Sequence, residues 1–425
     1  MHGSELGMEL SLFWIAPFAG LLLAIAICPL VVPHFWESNR NKAIVAAVFG
    51  LPVALFIASQ DPGEIVGVVE EYFSFVSLLA ALFVISGGIH IRGDLEATPK
   101  TNSLFLLVGC VLANLIGTTG ASVLLIRAVL RTNRERVNTR HIPVFFIFLV
   151  SNIGGLLLPI GDPPLFLGYL QGVPFFWTLR LLPMWLFTVA VVLAVFFVVD
   201  SVAYRRESSE AIFHDRAWAQ PLGIEGAINF LWLAGVLAAA VLLGSPFREL
   251  VMWAMALLSW VTTKAVTRKL NEFTFAPIVE VAVLFAGIFG AMIPCLLILK
   301  ARGAETGITE AWQFFWASGV LSSFLDNAPT YLTFVSLGQG VTAALGLPPD
   351  VMLQGGGIAA KYLAAVSVGA VFMGANTYIG NAPNFMVKCI SEEWKVKVPS
   401  FFGYMAWSVC ILVPVFVLDT LLFFR

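Results

Sequence analysis

The run Ser151-Asn152-Ile153-Gly154-Gly155-Leu156-Leu157-Leu158-Pro159-Ile160-Gly161-Asp162-Pro163-Pro164 places an aspartate among glycines and prolines, with apolar sequence on both sides. No α-helix continues through it, because each proline removes a backbone donor and its ring collides with the preceding turn. A partner lies downstream in Gly374-Ala375-Asn376-Thr377-Tyr378-Ile379-Gly380-Asn381-Ala382-Pro383-Asn384-Phe385. Ile-Gly-Asp-Pro-Pro-Leu-Phe thus faces Ile-Gly-Asn-Ala-Pro-Asn-Phe. Backbone that leaves its helix at membrane depth is tolerated only where protein or a watery cavity satisfies it, and paired interruptions in two halves of a chain point to a transport site. The two runs are expected to form two halves of one binding site.

Composition supplies the membrane. Of 425 residues, 59% are hydrophobic and 12% charged, where soluble domains carry about 25% charged residues. The acidic start, Glu5 and Glu9, lacks the positive region of a cleavable signal peptide, so the first apolar run is expected to remain as a helix. Cys28, Cys110, Cys295, Cys389 and Cys410 all lie in apolar segments without CxxC or Cys/His spacing. Buried free thiols are expected, with no disulfide framework, resident metal or other cofactor.

Taken in order, apolar runs of membrane-helix length cover 12–32, 43–58 and 72–91. Between Ser103 and Leu130, two arms too short to span flank Gly117-Thr118-Thr119-Gly120-Ala121-Ser122, which fits a re-entrant hairpin. An interrupted helix at 142–170 and a span at 178–200 follow. The second half repeats the order: spans at 227–243, 249–266 and 276–299, a hairpin around Ser322-Ser323-Phe324-Leu325-Asp326-Asn327-Ala328-Pro329-Thr330, an interrupted helix at 357–392 and a span at 402–424. The expected fold is an all-α integral membrane protein with about ten transmembrane helices and two re-entrant hairpins. Five crossings per half is odd, so the two repeats have inverted topology. Assigning loops in alternation puts 17 of the 24 Lys/Arg on one side, which the positive-inside rule makes cytoplasmic. Both termini then lie outside, the first hairpin enters from the cytoplasm and the second from the opposite face.

Asp162 and Asp326 are the two acidic residues at the interruptions, and a carboxylate inside a membrane is costly unless it meets a partner. Around them stand Asn152, Asn327, Asn376, Asn381, Asn384, Ser151, Thr118, Thr119, Ser122, Thr330 and Thr377. Such oxygen donors, with freed carbonyls, suit a hard cation such as Na⁺. A low dielectric disfavours the charged carboxylate, so protons compete with the cation for it. That competition is the physical basis of cation/proton exchange. Either aspartate could instead cap the helix that follows it, and the asparagines could serve broken backbone alone. Glu280 and the Glu70/Glu71 pair read as interface residues. Arg127 and Lys361 read as snorkelling cations or aspartate partners, and His34, His90, His141 and His214 as interfacial.

Ser151-Asn152-x-Gly-Gly, Pro159-Ile160-Gly161-Asp162 and Leu325-Asp326-Asn327-Ala328-Pro329 resemble the ion transporter superfamily, in particular NhaD-type sodium/proton antiporters and the related CitMHS-like citrate-transporter proteins. The resemblance implies an elevator-type homodimer in a cell (inner) membrane. Its scaffold would be 1–100 and 227–300, its transport domain 101–200 and 301–425, and its cytoplasmic linker 201–226. It also implies Na⁺ near Asn152, Asp162, Asn327 and Asn376. The dicarboxylate branch carries Ser-Asn-Thr at both hairpin tips, and these tips depart from it. The expected partners are a small inorganic ion and the bilayer, with no nucleic acid. Sodium/proton antiport is the leading function, with a Na⁺- or H⁺-coupled carrier of citrate, dicarboxylate or another anion as its rival. An intramembrane aspartyl protease would need Gly-x-Gly-Asp where the chain has Pro159-Ile160-Gly161-Asp162, and no Walker motif supports an ATP-driven pump.

Overall fold

The apolar runs fold into helices whose outward faces carry large aliphatic side chains such as Val48, Leu55, Val198 and Val261. The computed structural model describes residues 2–425. Among them, seven helices are long and apolar enough to cross a membrane. The second-half helices Asn229–Leu242 and Phe247–Thr262 have only 14 and 16 residues. At 1.5 Å per residue these reach about 21–24 Å, short of a core of about 30 Å. Helix length alone therefore does not yield the ten expected crossings.

One of the seven does not cross at all. Pro99–Thr132 contains Gly117 at φ 78°, ψ 154°, a conformation that only glycine adopts readily. The chain reverses there, because Asn102 Nδ2 donates to Asn133 Oδ1 at 2.9 Å and Asn133 Nδ2 returns a bond to Asn102 Oδ1 at 2.8 Å. A straight helix would hold those residues more than about 45 Å apart. This is the first expected hairpin, with longer arms than 103–130 and its turn at Gly117, the first residue of the expected 117–122 turn. The second is Ala311–Phe324 followed by Asn327–Ala344, with extended backbone at Leu325.

Both broken helices form. His141–Leu149 and Pro163–Leu170 flank the first interruption, and Ala360–Met373 and Ala382–Glu393 the second. The interruptions are short 3-10 turns and bends rather than α-helix. Every residue of His141–Leu149 is buried, which places this helix at the centre of the molecule.

The contacts join helices of the two halves in corresponding pairs. Asn39–Gln60 packs on Ala276–Arg302, and its counterpart Phe247–Thr262 packs on Pro62–Ser86. The first hairpin packs on Ala382–Glu393, and the arm Asn327–Ala344 of the second packs on Pro163–Leu170. Leu182–Tyr204 and Phe401–Phe423 pack on each other.

Three local expectations are corrected. The third helix begins at Pro62 and ends at Ser86, earlier than 72–91, so Glu70 and Glu71 lie within it rather than at its start. Within the all-helical fold, His90–Asp94 pairs antiparallel with Gln220–Glu225, so the link 201–226 is partly ordered as a helix, Ser209–Trp218, and a strand. A second ribbon, Val351–Leu353 with Gly356–Ile358, occupies the start of the expected 357–392 helix.

Candidate ion-binding site

Each interruption folds back on itself at a pair of glycines. A Cβ on Gly161 would lie 2.3 Å from the Gly155 carbonyl oxygen, and one on Gly380 2.7 Å from that of Gly374. The 155/161 and 374/380 pairs have the same spacing, so the same tight loop is built twice. From these loops Asn381 Nδ2 reaches Ser151 O at 3.2 Å and Asn152 Oδ1 at 3.2 Å, and Asn152 Nδ2 donates to Asn384 Oδ1 at 2.7 Å. The halves are thus joined by side-chain amides, which hold freed carbonyls as well: Asn384 Nδ2 donates to Gly374 O and Thr377 O.

Asp162 lies at the junction and is 1% exposed. It precedes the helix Pro163–Leu170 but makes no capping bond with its side chain. Its carboxylate instead accepts from Thr118 Oγ1 at 2.8 Å, Asn327 Nδ2 at 2.6 Å and Asn381 Nδ2 at 3.3 Å. Thr118 and Asn327 each stand just past the turn of a hairpin, so both hairpins and both broken helices meet at one side chain. All three partners are neutral, and the carboxylate's charge is left uncompensated inside the protein. That state costs several kcal/mol unless a proton or a cation joins it.

The other candidates divide. Ser122 and Ser151 hydroxyls meet at 2.8 Å. Asn376 Nδ2 donates to Ser323 Oγ at 2.9 Å, and Asn376 Oδ1 and Asn327 Oδ1 are buried acceptors without a partner. Two oxygens of that kind suit the cargo cation expected from the sequence. Thr377 Oγ1 serves backbone, donating to Ser323 O and accepting from the Ile379 and Gly380 amides. Thr330 Oγ1 bonds Asp326 O one turn back, and Thr119 is half-buried beside Thr118. Asp326 does not reach Asp162 through any hydrogen bond. Its side chain accepts from the Ala328 amide at 3.0 Å and caps the second arm of the hairpin.

Sequence reasoning passed over Ser323, which was visible in the Ser322-Ser323 pair. It also read His141 as interfacial, whereas the ring is buried with Nε2 2.9 Å from Asp200 Oδ1, beside Arg136 at 2.6 Å and Asn102 at 3.0 Å. Arg127 pairs with Glu272 rather than with an aspartate, and Lys361 lies over the Tyr362 ring. Glu280 pairs with Lys42 at 2.7 Å.

Long apolar helices around a buried, neutrally lined carboxylate, held where two interrupted helices meet, define a multi-pass membrane protein of the secondary-transporter class. Residues 7–424 match the family described as "Putative citrate transport", and the chain belongs to that family. No curated protein matches it. Membership points to transport rather than catalysis.

Proposed function

We propose that the protein exchanges Na⁺ for H⁺ at Asp162. The observation that carries this reading is a buried carboxylate on one broken helix whose hydrogen-bond partners are all neutral donors, from the other broken helix and both hairpins. Either a proton or a cation neutralises it, and a site that accepts one or the other, but not both, is an exchanger. Asn327, Asn376, Asn152 and Asn381 would ligate the cation, and Thr118, Ser151 and Ser122 would hold the loops. The site would cross the membrane by an elevator motion of the hairpins, the broken helices and the last helix of each half against the remaining helices. The setting would be a homodimer in an inner membrane, with both termini outside.

The family description favours a second reading, carriage of citrate or another carboxylate coupled to Na⁺ or H⁺. Purified protein in vesicles with an internal pH dye separates the two. Collapse of an imposed pH gradient by Na⁺ or Li⁺ without any carboxylate supports exchange. A response that requires citrate or succinate, with uptake of the labelled acid, replaces it with the carrier reading.

A further inference from the structure

A cleft of about 310 Å³ separates the end of the helix Pro62–Ser86 and the loop around Phe273 from the second arm of the first hairpin and the helix Ala382–Glu393. Its wall on the hairpin side includes Gly120, two residues beyond Thr118, and on the broken-helix side Met386, two residues beyond Asn384. The hairpin wall therefore leads within one helical turn of Thr118, which bonds Asp162, and the broken-helix wall within one turn of Asn384, which bonds Asn152. At the inner end Ser86 Oγ is buried without a partner and faces Gly120, where a Cβ would lie 2.7 Å from it.

The mouth is bridged by one ion pair. Arg127 Nη2 on the hairpin donates to Glu272 Oε2 at 2.7 Å, the arginine side chain being 14% exposed and the glutamate 64%. Glu272 follows the short helix Ala265–Leu270 and sits at φ 49°. This left-handed position after a helix favours glycine or asparagine, so glutamate is held there against its backbone preference while its carboxylate points across the cleft. Arg127 Nε is buried with no partner of its own, leaving this pair as the arginine's hydrogen-bonded anchor.

We propose that this cleft is the water-filled access site for the transported ion and that the Arg127–Glu272 pair is the latch across its mouth, joining the hairpin to the rest of the molecule. The route rests on the exchange reading given above; the latch does not. An ion pair that links two bodies through one half-exposed contact is weak enough to open repeatedly. A small hydrated cation enters between its two charges once it opens.

Cys389 lines the same cleft and is half-buried, which provides a native probe. Wild-type protein in vesicles is treated with a membrane-impermeant maleimide, with Cys389→Ser as the reference for signal from other cysteines. Arg127→Glu and Glu272→Arg each place like charges across the mouth and should speed Cys389 labelling by about three-fold or more, while the double swap returns it close to wild type. Unchanged labelling in the single swaps, or a double swap that merely adds them, overturns the latch. In wild type, modification of Cys389 should stop Na⁺-driven proton movement, and Cys389→Ser should be spared. Labelling that leaves exchange intact overturns the access route. A wild type that moves no protons with Na⁺ instead refutes the exchange reading, and the labelling measurements still decide the latch.

Discussion

Two carboxyls mark the interruptions, and the structure uses them differently. Asp162 turns away from its own helix toward Thr118, Asn327 and Asn381, whereas Asp326 satisfies the amide of Ala328. Asp162→Asn keeps the shape and an oxygen but removes the titrating group. Na⁺/H⁺ exchange in vesicles should fall to background, with the protein still eluting as a single folded peak. Asp326→Asn preserves a good cap and should leave exchange near wild type, while Asp326→Ala should lower stability by about 1 kcal/mol. Equal loss of exchange in the two Asn variants would show that Asp326 also carries the ion. If protons and Na⁺ compete for Asp162, the apparent Na⁺ affinity of the wild type should rise with pH. Asp162 was legible from sequence because its glycines and prolines are local signals. Which way the Asp326 side chain turns was not, since a ligand and a cap differ only in that.

The paired loops and the hairpins are the elements that shape the site, and glycine sets their geometry. Gly161→Ala would drive a methyl into the Gly155 carbonyl, with the Leu158 carbonyl 3.0 Å away on another side. Thermal unfolding in detergent should show a loss of about 3 kcal/mol or a failure to assemble. Gly67, in the helix Pro62–Ser86, has open space around it. Gly67→Ala should be neutral or stabilise by up to about 1 kcal/mol. The interrupted helices were readable because helix breakers in apolar sequence have few other uses. Within the expected run 117–122 the turn falls at Gly117, and only the backbone angle separates it from the equally polar Thr118-Thr119-Gly120. The ribbon of His90–Asp94 with Gln220–Glu225 left no signal, as two short strands more than a hundred residues apart carry no mutual mark.

Across the whole molecule, the linker between the halves is tied to the hairpin base through a set of acids. Asp215 Oδ2 accepts from the Ala97 amide at 2.8 Å. Burial, reinforced by the nearby Glu135, Asp94 and Glu96, raises its carboxyl to about 6. The folded protein then binds a proton more tightly than the unfolded chain, so this stabilisation is complete below the unfolded value near 4 and is lost as pH rises through about 6. Melting temperatures measured from pH 4 to 7 should decline through that window in wild type and stay flatter in Asp215→Asn. The repeat also has a consequence for charge movement. On the exchange reading, with Asp326 engaged as a cap, Asp162 is the titrating carboxylate of the site, and Asn381 is the neutral residue at the matching place of the repeated motif. Loaded with Na⁺ or with H⁺ the site is neutral, and empty it is an anion that the apolar interior disfavours. On that reading, one ion out for one proton in is electroneutral, and an empty, charged site is disfavoured from crossing. Exchange in vesicles clamped with K⁺ and valinomycin should run at the same rate at zero and at −100 mV, and the Asn381→Asp protein, with a second charge to neutralise, should become sensitive to voltage.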